Sequence, residues 1–402
     1  MYKSRTERLQ AQRRKRLQRW KMVMMRTILI FLLSAMACCI FLAISQFRRD
    51  LAETPAQQPE AVTNQSPVSE PEPRIRLTFA GDVMMSGNVE KILLEKGYDY
   101  PYTQVKAIFA EDDFTVVNLE TPVTFGGTPH AGKEYVYKSS PDALPAMKAA
   151  GIDAVNLANN HSMDQGADGL LDTFNALDAN EIAYVGAGID IERAYAPVYV
   201  ERNGIRLALL GFSRVVPEVS WYAGKNKPGI AASYDPALAV QAIREARSNA
   251  DLVVVIAHWG EERQDFANDS QKELARAYVE AGADLIVGSH PHVVQGLENI
   301  EGKWVAYSLG NFVFTRSLSP KTWESMVLEA SCSKSGDCDL RVLPIYTELA
   351  RPVLMQESEA AALLKRIESI SFDVRILPDG TVQKASSPSA EKGEGLSPAR
   401  EP

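Results

Sequence analysis

The sequence predicts an α/β fold, a mixed β-sandwich flanked by helices on its outer faces (α/β/β/α), and three observations carry that prediction. Short apolar, β-prone runs alternate with amphipathic stretches of helical length, the pattern of βα repeats rather than of an antiparallel meander. Several of these runs close on a residue able to bind metal. Finally, Val198-Tyr199-Val200 and Leu207-Ala208-Leu209-Leu210 flank Asn203-Gly204, a compact hairpin turn, so antiparallel pairing is mixed into the parallel sheet.

The chain has 402 residues and 46% hydrophobic composition, enough for a large core, but its ends do not read as globular. Residues 1–26 carry ten Lys or Arg against Glu7 alone, a net of +9 that leaves −17 for the rest of a chain whose total is −8. Residues 27–46 contain no charge, and 20 helical residues cross a hydrocarbon core of about 30 Å, so this segment is read as an N-terminal transmembrane helix. The basic cluster before it stays cytoplasmic by the positive-inside rule, which puts the main domain outside the cytoplasm as a single-pass membrane protein. A cleaved signal peptide is the competing reading, with an apolar region of about 7–15 residues and only Ala43-Ile44-Ser45 as a cleavage pattern. Lipid modification at Cys38 is a third, with Ala35 where a larger aliphatic residue is expected. Residues 47–73 hold five prolines and few bulky apolar side chains, so they read as a disordered tether.

The globular domain is expected over 74–350. A first run ends in Gly81-Asp82 and a second, Phe114 to Leu119, ends in Glu120. Asp142 is placed to cap a helix through Ala150, and the next run ends in Asn159-Asn160-His161. A helix over 164–179, the hairpin, and a helix over 236–249 capped by Asp235 come next. The run 252–257 leads into His258-Trp259, a helix spans 271–281, and 285–288 leads into Ser289-His290-Pro291-His292. A last run, 305–314, reads as a strand interrupted at Gly310-Asn311. Cys332 and Cys338, the only cysteines beyond residue 46, bracket a turn-prone stretch and are expected to form a disulfide at a hairpin tip. Residues 351–384 add a helix and strand extension, and 385–402 a disordered tail.

Four of the five histidines thus follow apolar runs directly, while His130 sits alone in a Gly-rich loop. Imidazole is a common divalent-metal ligand, and the ends of neighbouring parallel strands converge although distant in sequence. Taken singly, each residue has a plainer explanation. Asp82 suits a turn or cap, Asn159-Asn160 a left-handed turn, and His258 beside Trp259 a satisfied core position. His290 and His292 point to opposite sides if the backbone is extended, so a shared site needs a bend at Pro291 or two adjacent metals. Glu261 and Glu262 read as solvated loop charges, and Asn311 as a turn residue beside the site. Lys133, Tyr135, Tyr137 and Lys138 suit either an edge strand or contact with an anionic polymer. The acidic balance beyond residue 26 argues against a nucleic-acid partner.

Gly81-Asp82-Val83-Met84, Asn118-Leu119-Glu120-Thr121-Pro122, Ala158-Asn159-Asn160-His161, His258-Trp259-Gly260-Glu261, Gly288-Ser289-His290-Pro291-His292 and Gly310-Asn311-Phe312 together resemble the CapA/PgsA family of poly-γ-glutamate capsule synthesis proteins. The likeness covers roughly 74–347 and extends to calcineurin-like metallophosphoesterases, implying a metallophosphoesterase-like sandwich with one or two divalent ions (Mn, Fe or Zn). By that resemblance Asp82 and His292 serve one ion and Asn160, His258 and His290 the other, with Glu120 near or between them. His161 becomes the proton donor to a leaving group, oriented by Asp164, and a metal-bound hydroxide the nucleophile. The implied partners are an anionic capsule polymer and the membrane proteins that make or export it. A non-catalytic, metal-stabilised polymer-binding module is the alternative. Two departures bear on this: Met84 stands where metallophosphoesterases usually carry a histidine, and Glu120 where they carry an aspartate.

Overall fold

The computed structural model describes residues 72–385, and β1 (Arg74–Val83) organises it by pairing with three strands. The expected basic segment, the expected membrane span at 27–46, nearly all of the expected tether and the expected tail beyond 385 lie outside the described residues. Among those described, no helix is long and apolar enough to cross a membrane.

After β1 the strands are β2 (Phe114–Leu119), β3 (Ile152–Asn156), β4 (Ala183–Val185), β5 (Ala187–Gly188), β6 (Val198–Arg202), β7 (Ile205–Ser213), β8 (Gly229–Ile230) and β9 (Leu252–His258). They continue with β10 (Leu285–Ser289), β11 (Leu297–Ile300), β12 (Lys303–Ala306), β13 (Asn311–Val313), β14 (Glu324–Ser333), β15 (Cys338–Glu348), β16 (Arg351–Leu354), β17 (Val374–Ile376) and β18 (Val382–Lys384). One sheet runs β16-β15-β14-β1-β2-β3-β4, with β13 also paired to β1; the other runs β11-β12-β10-β9-β7-β6. Both are mixed. β1 to β4 and β7, β9 and β10 are parallel, whereas β14 to β16 and the β6–β7 hairpin are antiparallel.

Alternation along the strands decides which faces meet. Ile75, Leu77 and Phe79 of β1 and Phe114 and Val116 of β2 pack with Leu207 and Leu209 of β7 and Leu252, Val254 and Ile256 of β9 in one core between the sheets. The intervening residues Ala208, Leu210, Phe212, Val253 and Val255 face a second core under the helices Ala237–Arg247 and Asp269–Ala281. On the other sheet Val117, Leu119 and Val155 meet Leu144, Met147, Leu170 and Phe174 of the helices Leu144–Ala149 and Gly166–Ala179. β9 is buried along its whole length, which is why it reads as an unbroken apolar run. Residues 351–384 also join this framework: β16 extends the first sheet, and Leu363, Leu364 and Ile367 of the helix Glu357–Ser369 enter the inter-sheet core.

The Asn203-Gly204 turn joins Arg202 to Ile205 as expected, and Cys332 and Cys338 are bonded directly opposite each other on β14 and β15. Four local expectations are corrected. Residues 305–314 are not one interrupted strand, because β12 belongs to the second sheet and β13 to the first. The chain crosses at Gly310, whose φ of 78° and whose carbonyl, seated where a Cβ of Gly81 would stand, admit only glycines at both positions. The helix after residue 140 is capped by Ser140 rather than Asp142 and opens with a 3-10 turn, Pro141–Ala143. The helix expected from Asp164 begins at Gly166, since Asp164 is committed to another partner. Residues 133–138 form no strand, so the edge-strand explanation of Lys133, Tyr135, Tyr137 and Lys138 is removed.

Candidate metal centre

The ends of β1, β2, β3, β9 and β10 bring every sequence-predicted ligand into one cluster, buried except at the half-buried Asn160 and His292. Asp82, Glu120 and His258 are fully buried and His290 nearly so. Asp82 Oδ2 lies 3.1 Å from His292 Nδ1. Across the cluster, Asn160 Oδ1 lies 3.0 Å from His258 Nε2. Glu120 stands between them, its Oε1 3.8 Å from both His258 Nε2 and His292 Nε2. One donor atom each from Glu120, His290 and His292 falls within 4.8 Å of the others.

The bend required at Pro291 is present. His290 and His292 adopt φ of 98° and 56°, a region that non-glycine residues occupy at a cost of order 1–3 kcal/mol each. The twist turns two residues that would diverge in an extended chain toward the same cluster, with ring centroids 5.9 Å apart. The His258 and His290 rings are closer still, at 4.8 Å.

Electrostatics split the cluster. Burial, joined by the adjacent Asp82 carboxylate, pushes the Glu120 pKa well above the usual carboxylate range. Burial also drives His258 well below its ordinary value and His290 to about 3, reinforced in both by neighbouring imidazoles. Burial works against a charge on His292 too, but Glu120 and Asp82 outweigh it and raise that pKa to about 10.

Two buried atoms, Glu120 Oε1 and His290 Nδ1, have no hydrogen-bond partner among the described residues. Such orphans are rare and costly in a folded interior. Both are lone-pair donors within a mixed carboxylate, amide and imidazole set, the ligand chemistry of Mn, Fe or Zn. The residues therefore fit a divalent cation.

Beside the cluster His161 Nδ1 is 2.7 Å from Asp164 Oδ2, the orienting contact expected of this pair. Asp164 Oδ2 also accepts the Tyr137 amide at 2.8 Å, and its Oδ1 accepts from Lys133 Nζ at 2.5 Å. Lys133 further donates to the Asn160 carbonyl at 2.6 Å. Burial lowers the His161 pKa, opposed by Asp164. Glu261 and Glu262 are exposed as expected, and His130 stays outside the cluster, 3.5 Å from Glu218.

Sequence reasoning missed three contributors. Asn118 donates to Asp82 Oδ1 at 2.8 Å and Glu120 Oε2 at 3.3 Å, holding the two carboxylates in register. Its place two residues before Glu120 on β2, hence on the same face, was the available signal. Lys133 comes from the Gly-rich loop and carries no local signature. Asn311, read as a turn residue, has its Oδ1 2.9 Å from His292 Nδ1. Met84 is buried, with its amide paired to the Val313 carbonyl at 2.8 Å.

Fold and site together define a mixed α/β sandwich with a buried cluster of the kind that holds divalent cations at its strand ends. The chain matches the family model described as bacterial capsule synthesis protein PGA_cap over residues 76–316, and it belongs to that family. It is 38% identical over 277 residues to the PGA biosynthesis protein CapA of Bacillus subtilis (68% of this chain, 72% of that one). It is 36% identical over 310 residues to the capsule biosynthesis protein CapA of Bacillus anthracis (75% and 74%). A probable polyglutamine synthesis accessory protein of Mycobacterium tuberculosis is 29% identical over 317 residues (73% and 83%). Among solved structures, the Thermus thermophilus sulfate thiohydrolase SoxB superposes at a TM-score of 0.40 and 15% identity, covering 75% of this chain and 61% of that one. A 5'-nucleotidase from Candida albicans gives 0.37 and 11%, covering 68% and 54%. These two likenesses are too distant to bear on the chemistry of this chain.

Proposed function

We propose that this protein acts in the synthesis, export or attachment of poly-γ-glutamate or a related anionic capsule polymer, and that it works through the metal centre. Family membership and the names of its Bacillus relatives support the capsule role. The observation that carries the metal role is the pair of orphaned buried donors, Glu120 Oε1 and His290 Nδ1, inside a set of six candidate ligands. Asp82 and His292 would hold one cation and Asn160, His258 and His290 a second, with Glu120 shared. Bound cations supply Lewis acidity and lower the pKa of coordinated water. The uncharged segment 27–46 would anchor the protein in the membrane, with residues beyond it outside the cell near the membrane proteins that make or export the polymer.

The His161–Asp164 pair favours a second, narrower reading: metal-dependent hydrolysis of a phosphoester or polymer bond, with a metallophosphoesterase-like arrangement. Asp164 fixes Nδ1, leaving Nε2 as the atom that takes up or releases a proton toward a leaving group. The experiment is a gene deletion complemented by wild type, His290→Ala or His161→Ala, scored as polymer retained at the cell surface. The proposal expects polymer to fall on deletion and to return only with wild type. Unchanged polymer after deletion overturns the capsule role. Rescue by His161→Ala but not by His290→Ala leaves a metal-stabilised binding module and removes catalysis.

A further inference from the structure

We infer that Asn311 is a metal ligand, completing the Asp82–His292 side of the centre; the inference rests on the metal reading above. β1 itself supplies only Asp82 to that side. Strand β13 is brought alongside by the Gly310 crossover, and its register sets Asn311 directly opposite Asp82. The side chain is 1% exposed, and its orientation is fixed from behind: Nδ2 donates to the Thr322 carbonyl at 3.1 Å, while Thr347 Oγ1 holds the Asn311 carbonyl at 2.7 Å. This leaves Oδ1 facing the cluster.

A hydrogen-bond account of that oxygen is incomplete. His292 Nδ1 lies 2.9 Å from Asn311 Oδ1 and 3.1 Å from Asp82 Oδ2, yet a ring nitrogen carries at most one proton. One N–H then has to be shared between two good acceptors. Spacings near 3 Å are instead those of adjacent ligands around one cation, since donors at about 2.1 Å and right angles stand roughly 3.0 Å apart. The opposite side shows a similar arrangement. Asn160 Oδ1 stands 3.0 Å from His258 Nε2 on the opposite side, so each side is built around an asparagine and histidine pair of the same separation. Both sides then offer three donors besides the shared Glu120: Asp82, His292 and Asn311 on one, Asn160, His258 and His290 on the other.

The test uses the full-length chain in detergent, labelled with asparagine carrying 13C at the side-chain carbonyl, stripped by chelation and reloaded with Mn2+. Ion content is read by elemental analysis, and carbon coupling to the Mn2+ spin by electron-nuclear double resonance. The inference expects two ligated amides in wild type, with Asn311→Ala removing one signal and weakening one of the two ions at least tenfold, and Asn160→Ala removing the other signal. Two ions bound with unchanged affinity in Asn311→Ala overturn the inference alone. Should that variant not fold, the Asn160→Ala spectrum decides, because a chain that then shows no ligated amide overturns the inference equally. Wild type that takes up no Mn2+ overturns the metal reading and this inference together.

Discussion

The two sides of the candidate metal centre are built differently although they offer similar donors. On one side Asn160 and His290 follow β3 and β10 and His258 closes β9, β3 being parallel to β2 and β4 and β9 to β7 and β10, and each residue marks the place where an apolar run stops. On the other, Asp82 stands at a register shift in β1 opposite Asn311 of β13, and His292, like His290 of the first side, takes a positive φ. The first side collects neutral imidazoles whose pKa values burial depresses. The second sets an imidazole against carboxylates that raise its pKa to about 10.

The largest expected effect comes from removing what the two sides share. Glu120→Ala should abolish tight binding of both ions, a loss of roughly 100-fold or more in affinity measured by calorimetric titration with Mn2+ or Zn2+. Asp82→Ala and Asn160→Ala should each cost only the ion on its own side, read as a drop in ion content by elemental analysis. If either single change empties both positions, the division into two sides fails.

Metal removal should next reduce stability. A cation held at 100 times its Kd stabilises by about 2.7 kcal/mol, so chelation should lower Tm by about 5 °C or more in a scanning calorimeter. The metal-free protein then separates the two sides by pH. His290, neutral in the folded state with a pKa near 3, binds a proton only when unfolded, so stability falls as pH drops below about 6.5. His292, raised to about 10, contributes stability that is complete below about 6.5 and is lost as pH climbs through 10. Urea midpoints of metal-free protein should therefore decline toward both acid and base, and His290→Gln should make the acid limb, to which the buried His258 also contributes, less steep while leaving the basic limb in place.

The smallest effect on binding should come from Asp164→Asn. His161 would lose its orienting carboxylate, and polymer production should fall by about 10- to 100-fold if His161 transfers a proton, with ion content unchanged. Equal loss of metal would instead mean that Asp164 and Lys133 act by holding the Asn160 backbone.

Much of this was legible in the sequence, for a physical reason. Strand ends are fixed by where apolar runs stop, so Glu120, Asn160, His161, His258 and His290 were found without knowing how the sheets pack. The features that were not legible depend on tertiary approach. Asn311 reads as part of an interrupted strand because nothing local announces that 305–314 divides between two sheets. Lys133 reaches Asp164 from a loop with no periodicity, and Asp164, which the resemblance implied as the partner of His161, lies in the turn before its helix rather than at the helix start.

Elemental analysis of the purified full-length chain tests most directly whether the buried cluster is a metal centre. Close to two divalent transition-metal ions per chain are expected, removable by chelation and absent from Glu120→Ala. A folded wild-type chain that carries no ion above background, and takes up none when supplied with Mn, Fe or Zn, would contradict it.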